Sequence, residues 1–535
     1  MSHELRAIRY PLSTIHHSPS TIRYFFLLLL AVLLFTAVSP APVHAVSSPN
    51  VSLDRDVYRD MEFWAAEGLV ESQLYSIRTV ARSEVGRQLV LALGKCNALK
   101  TPSATCRTIQ EKYARLYGAE IAEARSPDNI NNLYIKPVEA FLVSYNYRSG
   151  PFSVFNNEGI PYGDGHNALI QFQTHARVGR VLSFFVEPAF IYNQHFGDAE
   201  DGSRADMRLH KGYAKLTLFN VELQVGRDSL WWGPGHHGSL LMSNNAHPFD
   251  MIKLSNPEPV LLPWIFSYLG PVQFNVFFSQ LNDQRKGREL ANPFLYGMRL
   301  GLKPHPYLEL GASHLVLFGG PGRRDMSFRE IIDTLYGNTD RKGEKTDSNQ
   351  EMSADLALTI PNLKKYIYVV DGIKFYGEIG AEDNGYPPTG RAYLAGLAFF
   401  QPFGLERAVL RGEYAILSPD KGAAGWYNHV TYPMRYEDRV FGHHAGADAE
   451  DIFIEWSHSF EKIFYKLGFD RERSGIKTQT YIQTKNQFFG EIGYRFNANA
   501  TMTLRYAYEA IKNFGNLQDE NQGNHFVGLE AAIEF

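Results

Sequence analysis

From about residue 134 to its last residue the chain keeps a two-residue rhythm, and this limits its fold more than any other feature. Ala168, Ile170, Phe172, Ala176 and Val178 fall on one face of an extended segment, and Gln171, Gln173, His175 and Arg177 fall on the other. Ile373, Phe375, Gly377, Ile379 and Ala381 alternate in the same way with Lys374, Tyr376, Glu378 and Glu382. Alternation at this period marks β-strands, whose successive side chains point to opposite sides of a sheet. A soluble sandwich alternates too, so the period alone does not settle the architecture. The polar face, however, carries charges in strand after strand, which a hydrated lumen tolerates and a dry sandwich core does not. With 45 glycines, 30 tyrosines and 36 phenylalanines in 535 residues, the composition suits a long all-β chain rich in turns.

Two further features point to the outer membrane. Arg6, Arg9 and Arg23 precede the apolar run from Phe25 to Val38, and Pro40, Pro42 and Val43-His44-Ala45 follow it. That order is a secretory signal with cleavage after Ala45, so residues 1–45 are read as an address. At the other end Val527, Leu529, Ala531, Ile533 and Phe535 form an apolar face opposite Gly528, Glu530, Ala532 and Glu534. A strand closing on a terminal Phe resembles the sorting signal of bacterial outer-membrane barrels. In lipid every backbone polar group must pair internally, and a closed barrel does this because it has no edge. The expected fold class is therefore an all-β antiparallel transmembrane barrel over residues 131–535, of roughly 16–20 strands with about 18 favoured. An even count puts both chain ends in the periplasm, and Tyr134, Tyr145, Tyr147, Tyr494, Tyr506 and Tyr508 are candidates for interfacial girdles.

Residues 46–130 read instead as a small helical module, expected in the periplasm. Val57, Met61, Trp64 and Ala65 lie on one helical face with Gly68 as a stop. Val85, Leu89, Ala92 and Leu93 form a second, ending at Gly94, and Ile109, Tyr113 and Leu116 a third, with Thr108 and Glu111 at capping-box spacing. Cys96 and Cys106 stand between the second and third helices and are expected to form a disulfide in an oxidising compartment. Pro259 to Phe278 is interrupted by Pro263, Gly270 and Pro271 and reads as two short strands around a turn, not as a membrane helix. Three connections, about 228–258, 319–352 and 416–450, are too long for tight turns, and Phe328 to Ile332 has the pattern of a short helix. The formal net charge of −4 provides no basic field for nucleic acid.

One of these connections carries a specific motif. Residues 226–248 contain Gly226-Arg227-Asp228, Trp231-Trp232-Gly233-Pro234-Gly235-His236-His237, Ser239-Leu240, Ser243-Asn244-Asn245-Ala246 and Pro248. This run resembles the signature of the capsule assembly protein Wzi family. The resemblance implies an outer-membrane barrel that holds capsular or surface polysaccharide by lectin-like contact, without catalysis and without a cofactor. Polysaccharide and outer-membrane lipid are then the expected partners, with the polysaccharide export machinery a further one.

Residue chemistry is compatible with that implication. Trp231, Trp232, Trp426 and Tyr427 offer flat faces for sugar C–H surfaces, and Arg227, Asp228, His236, His237, Asn244 and Asn245 offer partners for hydroxyls and carboxylates. Gly226, Gly233, Pro234, Gly235, Ser243 and Pro248 are the structural part of the motif. The competing reading makes the segment a barrel-internal plug, in which the Trp rings pack, the Asn side chains bond loop backbone, and Arg227 pairs with a lumen carboxylate. His236, His237 and His247 with Asp228 or Asp250 lack metal-ligand spacing, so no metal site is expected. Ser243, Asn244 and His247 include hydrolase residue types but no Gly-x-Ser-x-Gly elbow. The alternatives to polysaccharide binding are a diffusion porin and, behind it, an outer-membrane hydrolase.

Overall fold

The computed structural model describes residues 45–126, 130, 133–194, 203–283, 289–323, 325–335, 346–382, 390–417 and 426–535. The signal-peptide reading falls on residues outside this set, apart from Ala45.

Eighteen antiparallel strands close into a barrel. In chain order they are β1 (Leu133–Ser149), β2 (Gly165–Val178), β3 (Leu182–Asn193), β4 (Arg204–Leu218), β5 (Val221–Asp228), β6 (Phe249–Ser255), β7 (Pro271–Gln280), β8 (Phe294–His305) and β9 (Leu308–Phe318). The second half comprises β10 (Ser348–Ile360), β11 (Gly372–Glu382), β12 (Arg391–Phe400), β13 (Ala408–Ile416), β14 (Ala449–Ser459), β15 (Ile463–Ser474), β16 (Gln483–Arg495), β17 (Ala500–Lys512) and β18 (Gln522–Glu534). Each strand pairs with its sequence neighbours, and β1 closes on β18 in a register running from Ala140 opposite Glu534 to Ser149 opposite His525. Closure leaves no ladder edge unpaired, as a lipid solvent requires. The stretch 259–278 differs from the expected pair of strands. Val260–Leu261 prolongs the β6 edge against β7, and Trp264–Leu269 then turns as a 3-10 helix before β7 begins.

The walls are inverted relative to a soluble protein. Ile170, Phe172, Phe184, Val186, Leu223, Val225, Phe375, Ile379, Leu504, Val527 and Leu529 are exposed on the outside, while Gln173, His175, Arg177, Lys211, Lys215, Lys253, Arg299, Lys374 and Arg411 are buried inside. The inward charges are paired across strands. Arg299 on β8 bonds Asp355 on β10 at 2.8 and 2.9 Å, and both side chains are fully enclosed. At one end, successive turns each expose an aromatic ring: Phe219, Trp264, Tyr268, Tyr307, Tyr366, Tyr368, Phe403, Phe460 and Phe496, with Phe535 at the terminus. Rings of this kind settle at the boundary between acyl chains and headgroups. Tyr145, Tyr147, Tyr494 and Tyr506 are exposed on the outer wall as well.

The helical module enters the barrel through this same end. Its elements are α1 (Asp56–Ala66), α2 (Arg82–Ala98), α3 (Ala104–Thr108), a π-helical turn (Ile109–Tyr113), α4 (Ala114–Leu116) and α5 (Gly118–Arg125). Trp64, Val85, Leu89, Ile109, Tyr113 and Ile121 form its core, and a disulfide joins Cys96 to Cys106. Three local expectations change. Helix α2 continues through Gly94 to Ala98, because Gly94 is tolerated in a turn that the disulfide ties down. The next helix starts earlier, at Ala104, where the Ser103 hydroxyl accepts the Cys106 N–H. Thr108 is therefore no cap; its hydroxyl donates back to the Ala104 carbonyl inside the helix.

The module is fastened by buried charge. Glu62 on α1 accepts from Lys374 and from Arg411, each at 2.6 Å, while Asp60 accepts from Arg407. Arg82 bonds Glu139 on β1, and Arg177 on β2 bonds Glu123. Burial alone would raise the Glu62 carboxyl, but Arg411 and Lys374 outweigh it and hold the group well below the usual carboxylate range. Because the folded value is depressed, this contribution is present at neutral pH. It fades as pH falls from the unfolded value of about 4.3 toward the folded one. Replacing Glu62 by Gln strands two enclosed cations, a change that costs about 3–5 kcal/mol. In the Glu62→Gln variant we expect the module to become protease-sensitive at neutral pH while the barrel keeps its heat-modifiable gel mobility; equal protease resistance of variant and wild type would contradict this role.

Candidate functional site

The motif segment does not project from the barrel. Between β5 and β6, residues 229–248 fold back into the lumen from the end opposite the module, with Leu230, Trp231, Trp232, Leu240, Leu241 and Met242 buried. Two wall carboxyl groups shape the descent. Glu413 on β13 accepts the backbone N–H groups of His236 (2.8 Å), His237 (3.0 Å) and Gly238 (3.1 Å), and the Tyr376 hydroxyl at 2.8 Å. Glu378 on β11 accepts from the Leu240 N–H at 2.8 Å, the Ser239 hydroxyl at 3.2 Å and the Gly235 N–H at 3.3 Å. The glycines are explained by this clasp. Gly233 has φ +122, and a Cβ there would collide with the Glu378 carboxyl.

The two plugs meet inside the barrel. Ile77–Arg78 of the module pairs antiparallel with Trp231–Trp232, and the Gly233 N–H donates to the Ser76 carbonyl at 2.8 Å. The Arg78 guanidinium lies 4.6 Å from the Trp231 ring centroid, and its Nη2 donates to the Gly235 carbonyl at 3.1 Å. Trp232 packs on Phe277, 5.5 Å between centroids. Glu309 on β9 accepts the backbone N–H groups of Tyr75 and Ser76 at 3.0 and 2.8 Å, holding the module's contribution to the junction.

A second loop, between β13 and β14, covers the first. Trp426 and Tyr427 are buried, and Trp426 lies over Gly380, where even a Cβ would come within 2.6 Å of the indole. The Tyr427 hydroxyl donates to the Leu240 carbonyl and accepts the His443 N–H. Ser243 donates to the Gly442 carbonyl at 2.6 Å, and Asn245 donates to Val440 at 3.1 Å. The connection between β1 and β2 joins in, with Asn156 donating to the His237 carbonyl and the Glu158 N–H donating to Asn244. The helix expected in the loop after β9 is present as α6 (Phe328–Leu335).

The singled-out residues thus separate into groups. Trp231, Trp232, Trp426 and Tyr427 fill the plug core. His236, His237 and Asn245 lie in its backbone clasp, and Asn244 bonds the β1–β2 connection through its carbonyl. Asp228 faces inward and accepts from Asn50 at 2.8 Å and from Gln224 at 3.0 Å. Arg227 does not pair with a lumen carboxylate: it bonds Asp250, on the neighbouring strand, at 2.8 and 3.0 Å, and both side chains are solvent-accessible. Gly226, Pro234, Gly235 and Pro248 shape the entry and exit of the loop. Ser243 is fixed on backbone carbonyls and His247 faces Glu437 at 3.0 Å, so the two do not form a nucleophile and its base.

Sequence reasoning missed a cavity at the loop end. It measures about 230 Å³ and is lined by Gly159, Pro161, Ile191, Asn193, Arg204, Asp206, Arg208, His247, Glu437 and Arg439. Three arginines face two carboxylates there, and the buried Nε and Nη2 of Arg208 lack hydrogen-bond partners among the described residues. Its lining comes from five separate segments, and only the positions of Arg204, Asp206 and Arg208 on alternate residues of one strand end would have hinted at it.

A closed barrel with an apolar outer belt and a lumen filled from both ends defines a plugged outer-membrane β-barrel. The chain belongs to the capsule assembly protein Wzi family, whose sequence model matches residues 149–526 and so leaves the helical module outside the match. It resembles the solved structure of Escherichia coli Wzi, an outer-membrane protein involved in group 1 capsule assembly and described as a carbohydrate-binding β-barrel. That match has a TM-score of 0.66 at 17% identity, over 91% of this chain and 100% of the other. A Klebsiella pneumoniae protein from the cps region is 26% identical over 207 residues, which span 38% of this chain and 39% of that relative. Pseudomonas aeruginosa OpdQ also aligns, with a TM-score of 0.45 at 12% identity, over 75% of this chain and 99% of that one.

The clasp on Glu378 and Glu413 yields an electrical prediction. In planar bilayers the wild-type barrel is expected to be silent. The double variant Glu378→Gln, Glu413→Gln, which sets amide N–H groups against backbone N–H groups, should open in bursts as the loop loosens. A double variant as silent as wild type would show that the clasp does not hold the plug.

Proposed function

We propose that this protein anchors an acidic capsular or exopolysaccharide at the cell surface by non-covalent, lectin-like contact. The observation that carries this reading is the loop-end cavity, where guanidinium N–H groups of Arg208, unpartnered among the described residues, stand beside Arg204 and Arg439 above a filled lumen. A guanidinium with free donors in a partly dry site favours carboxylated sugars, because planar bidentate bonds match its geometry. Arg204 and Arg439 add positive charge beside it, while Asn193 shapes the wall with its amide N–H groups tied to Pro161 and Asn167. Trp231, Trp232, Trp426 and Tyr427 act in this reading from beneath, by fixing the floor on which the cavity rests. One cavity binds one stretch of a repeating polymer weakly, and many barrels along one chain add avidity.

The same geometry supports the finer placements. The module, with the ring of exposed turn aromatics around it, faces the periplasm, and the end bearing the cavity faces outward. Outer-membrane lipid contacts the apolar belt, and the module's solvent-facing side is available to export machinery. No catalytic step is needed for retention, and the porin reading is disfavoured by two plugs bonded to each other at mid-lumen. Arg208→Ala combined with Arg439→Ala should weaken binding of a uronate-containing polysaccharide at least about tenfold, roughly 1.4 kcal/mol. Binding by the wild type should also weaken with added salt. Co-sedimentation with purified barrel measures both. Equal binding by a folded double variant would sink the proposal.

A further inference from the structure

Residues from both plug loops converge on the barrel wall with buried polar atoms that lack hydrogen-bond partners among the described residues. His237 comes from the loop after β5 and His444 from the loop after β13; Asp451 lies on β14 and Asp470 on β15. The Nε2 atoms of His237 and His444 stand 3.6 and 3.7 Å from the same Asp451 oxygen, Oδ2, and His237 Nε2 stands 3.7 Å from Asp470 Oδ2. Four ligands around a zinc-like ion at about 2.0–2.1 Å are separated from one another by about 3.3–3.4 Å, so small adjustments bring this set to bonding distance. The side chains are 7%, 2%, 2% and 0% exposed for His237, His444, Asp451 and Asp470. Even so, among the described residues His237 Nε2, His444 Nδ1, Asp451 Oδ1 and both Asp470 oxygens have no hydrogen-bond partner, and His444 Nε2 lies 3.1 Å from the Glu472 carboxylate, which borders the set.

We propose that His237, His444 and Asp451, with Asp470 closing the set, bind a divalent transition-metal ion of the zinc class that clasps the two plug loops to the barrel wall.

The charge balance agrees. Lys485 faces Asp470 at 3.7 Å and bonds Glu472, so one ammonium serves Asp451, Asp470 and Glu472. With those carboxylates ionised and the imidazoles neutral, the cluster carries a formal charge of −2, which a buried site does not sustain alone. The rings are also immobilised as ligands need to be: His237 stacks on Phe453 at 3.8 Å and His444 on Phe155 at 3.9 Å. His443 has an orienting part. Its Nδ1 accepts the Ala445 N–H at 3.4 Å, which directs Nε2–H toward Asp451 Oδ2, 3.5 Å away.

A second group of the same residue types, Glu158, Glu187 and His210, shows the contrast. Lys211 lies 2.8 Å from Glu158 and 3.5 Å from Glu187, and His210 bonds Glu158 at 2.9 Å, so one ammonium reaches both carboxylates and the side-chain atoms of all three residues are partnered within the chain. It serves as the internal control.

The test uses the full-length processed barrel without an affinity tag, stripped with chelator and equilibrated with zinc or cobalt(II). We expect uptake of about one equivalent per chain, with the visible absorption of four-coordinate cobalt. Uptake and colour should be lost in His237→Ala and in His444→Gln and weakened in Asp451→Asn, while His210→Ala leaves both intact. Heat-modifiable gel mobility verifies that each variant is folded. Folded wild type that takes up neither metal overturns the proposal, and so does uptake that persists when His237 and His444 are both replaced. Either result would leave a proton shared between Asp451 and Asp470 as what balances the cluster.

Discussion

Two carboxyl groups on the inner wall, Glu378 and Glu413, set the arrangement of everything above mid-lumen. A loop that enters a barrel brings backbone N–H groups with it, and each must find an acceptor once water is excluded. Here five of those donors, from Gly235, His236, His237, Gly238 and Leu240, end on the two acids. The chain can therefore turn tightly at Gly233-Pro234-Gly235 without a strand or helix of its own. The indoles of Trp231 and Trp232 are carried to the centre of the molecule as a result, and the second loop finds a finished surface on which to lay Trp426 and Tyr427.

Much of the barrel was legible in the sequence, because the period-two rhythm has one physical cause in every strand. Lipid selects apolar residues outside and the lumen admits charge inside, so Phe172 and Gln173 declare their faces without knowledge of any neighbour. The even strand count and the common end for both termini follow from that rhythm and from chain length. The boundaries in the helical module were less legible. Gly94 reads as a stop, yet α2 runs past it because the Cys96–Cys106 link fixes the last turn. Thr108 and Glu111 have capping spacing, but Ser103 five residues earlier takes the role with a better-placed hydroxyl.

The site was legible as a motif and not as a place. Trp-Trp-Gly-Pro-Gly announces a constrained turn, but the acids that constrain it lie about 140 and 175 positions further along the chain, on strands indistinguishable from others by pattern. Long-range pairing of this sort leaves no local periodicity to read. The same holds for the rim cavity, whose lining comes from five segments, and for the histidines of two loops that meet only after both have folded inward. Arg227 and Asp228 are adjacent in sequence yet face opposite sides of the wall, one to the outside and one to Asn50 in the lumen. Strand geometry imposes that separation on any two neighbours.

The short pairing of Ile77–Arg78 with Trp231–Trp232 gives the molecule a continuous covalent and hydrogen-bonded strut from one mouth to the other. The helices at one mouth and the loops at the other therefore share a single stretch of backbone pairing, so a shift of either is handed to the other through Ser76 and Gly233.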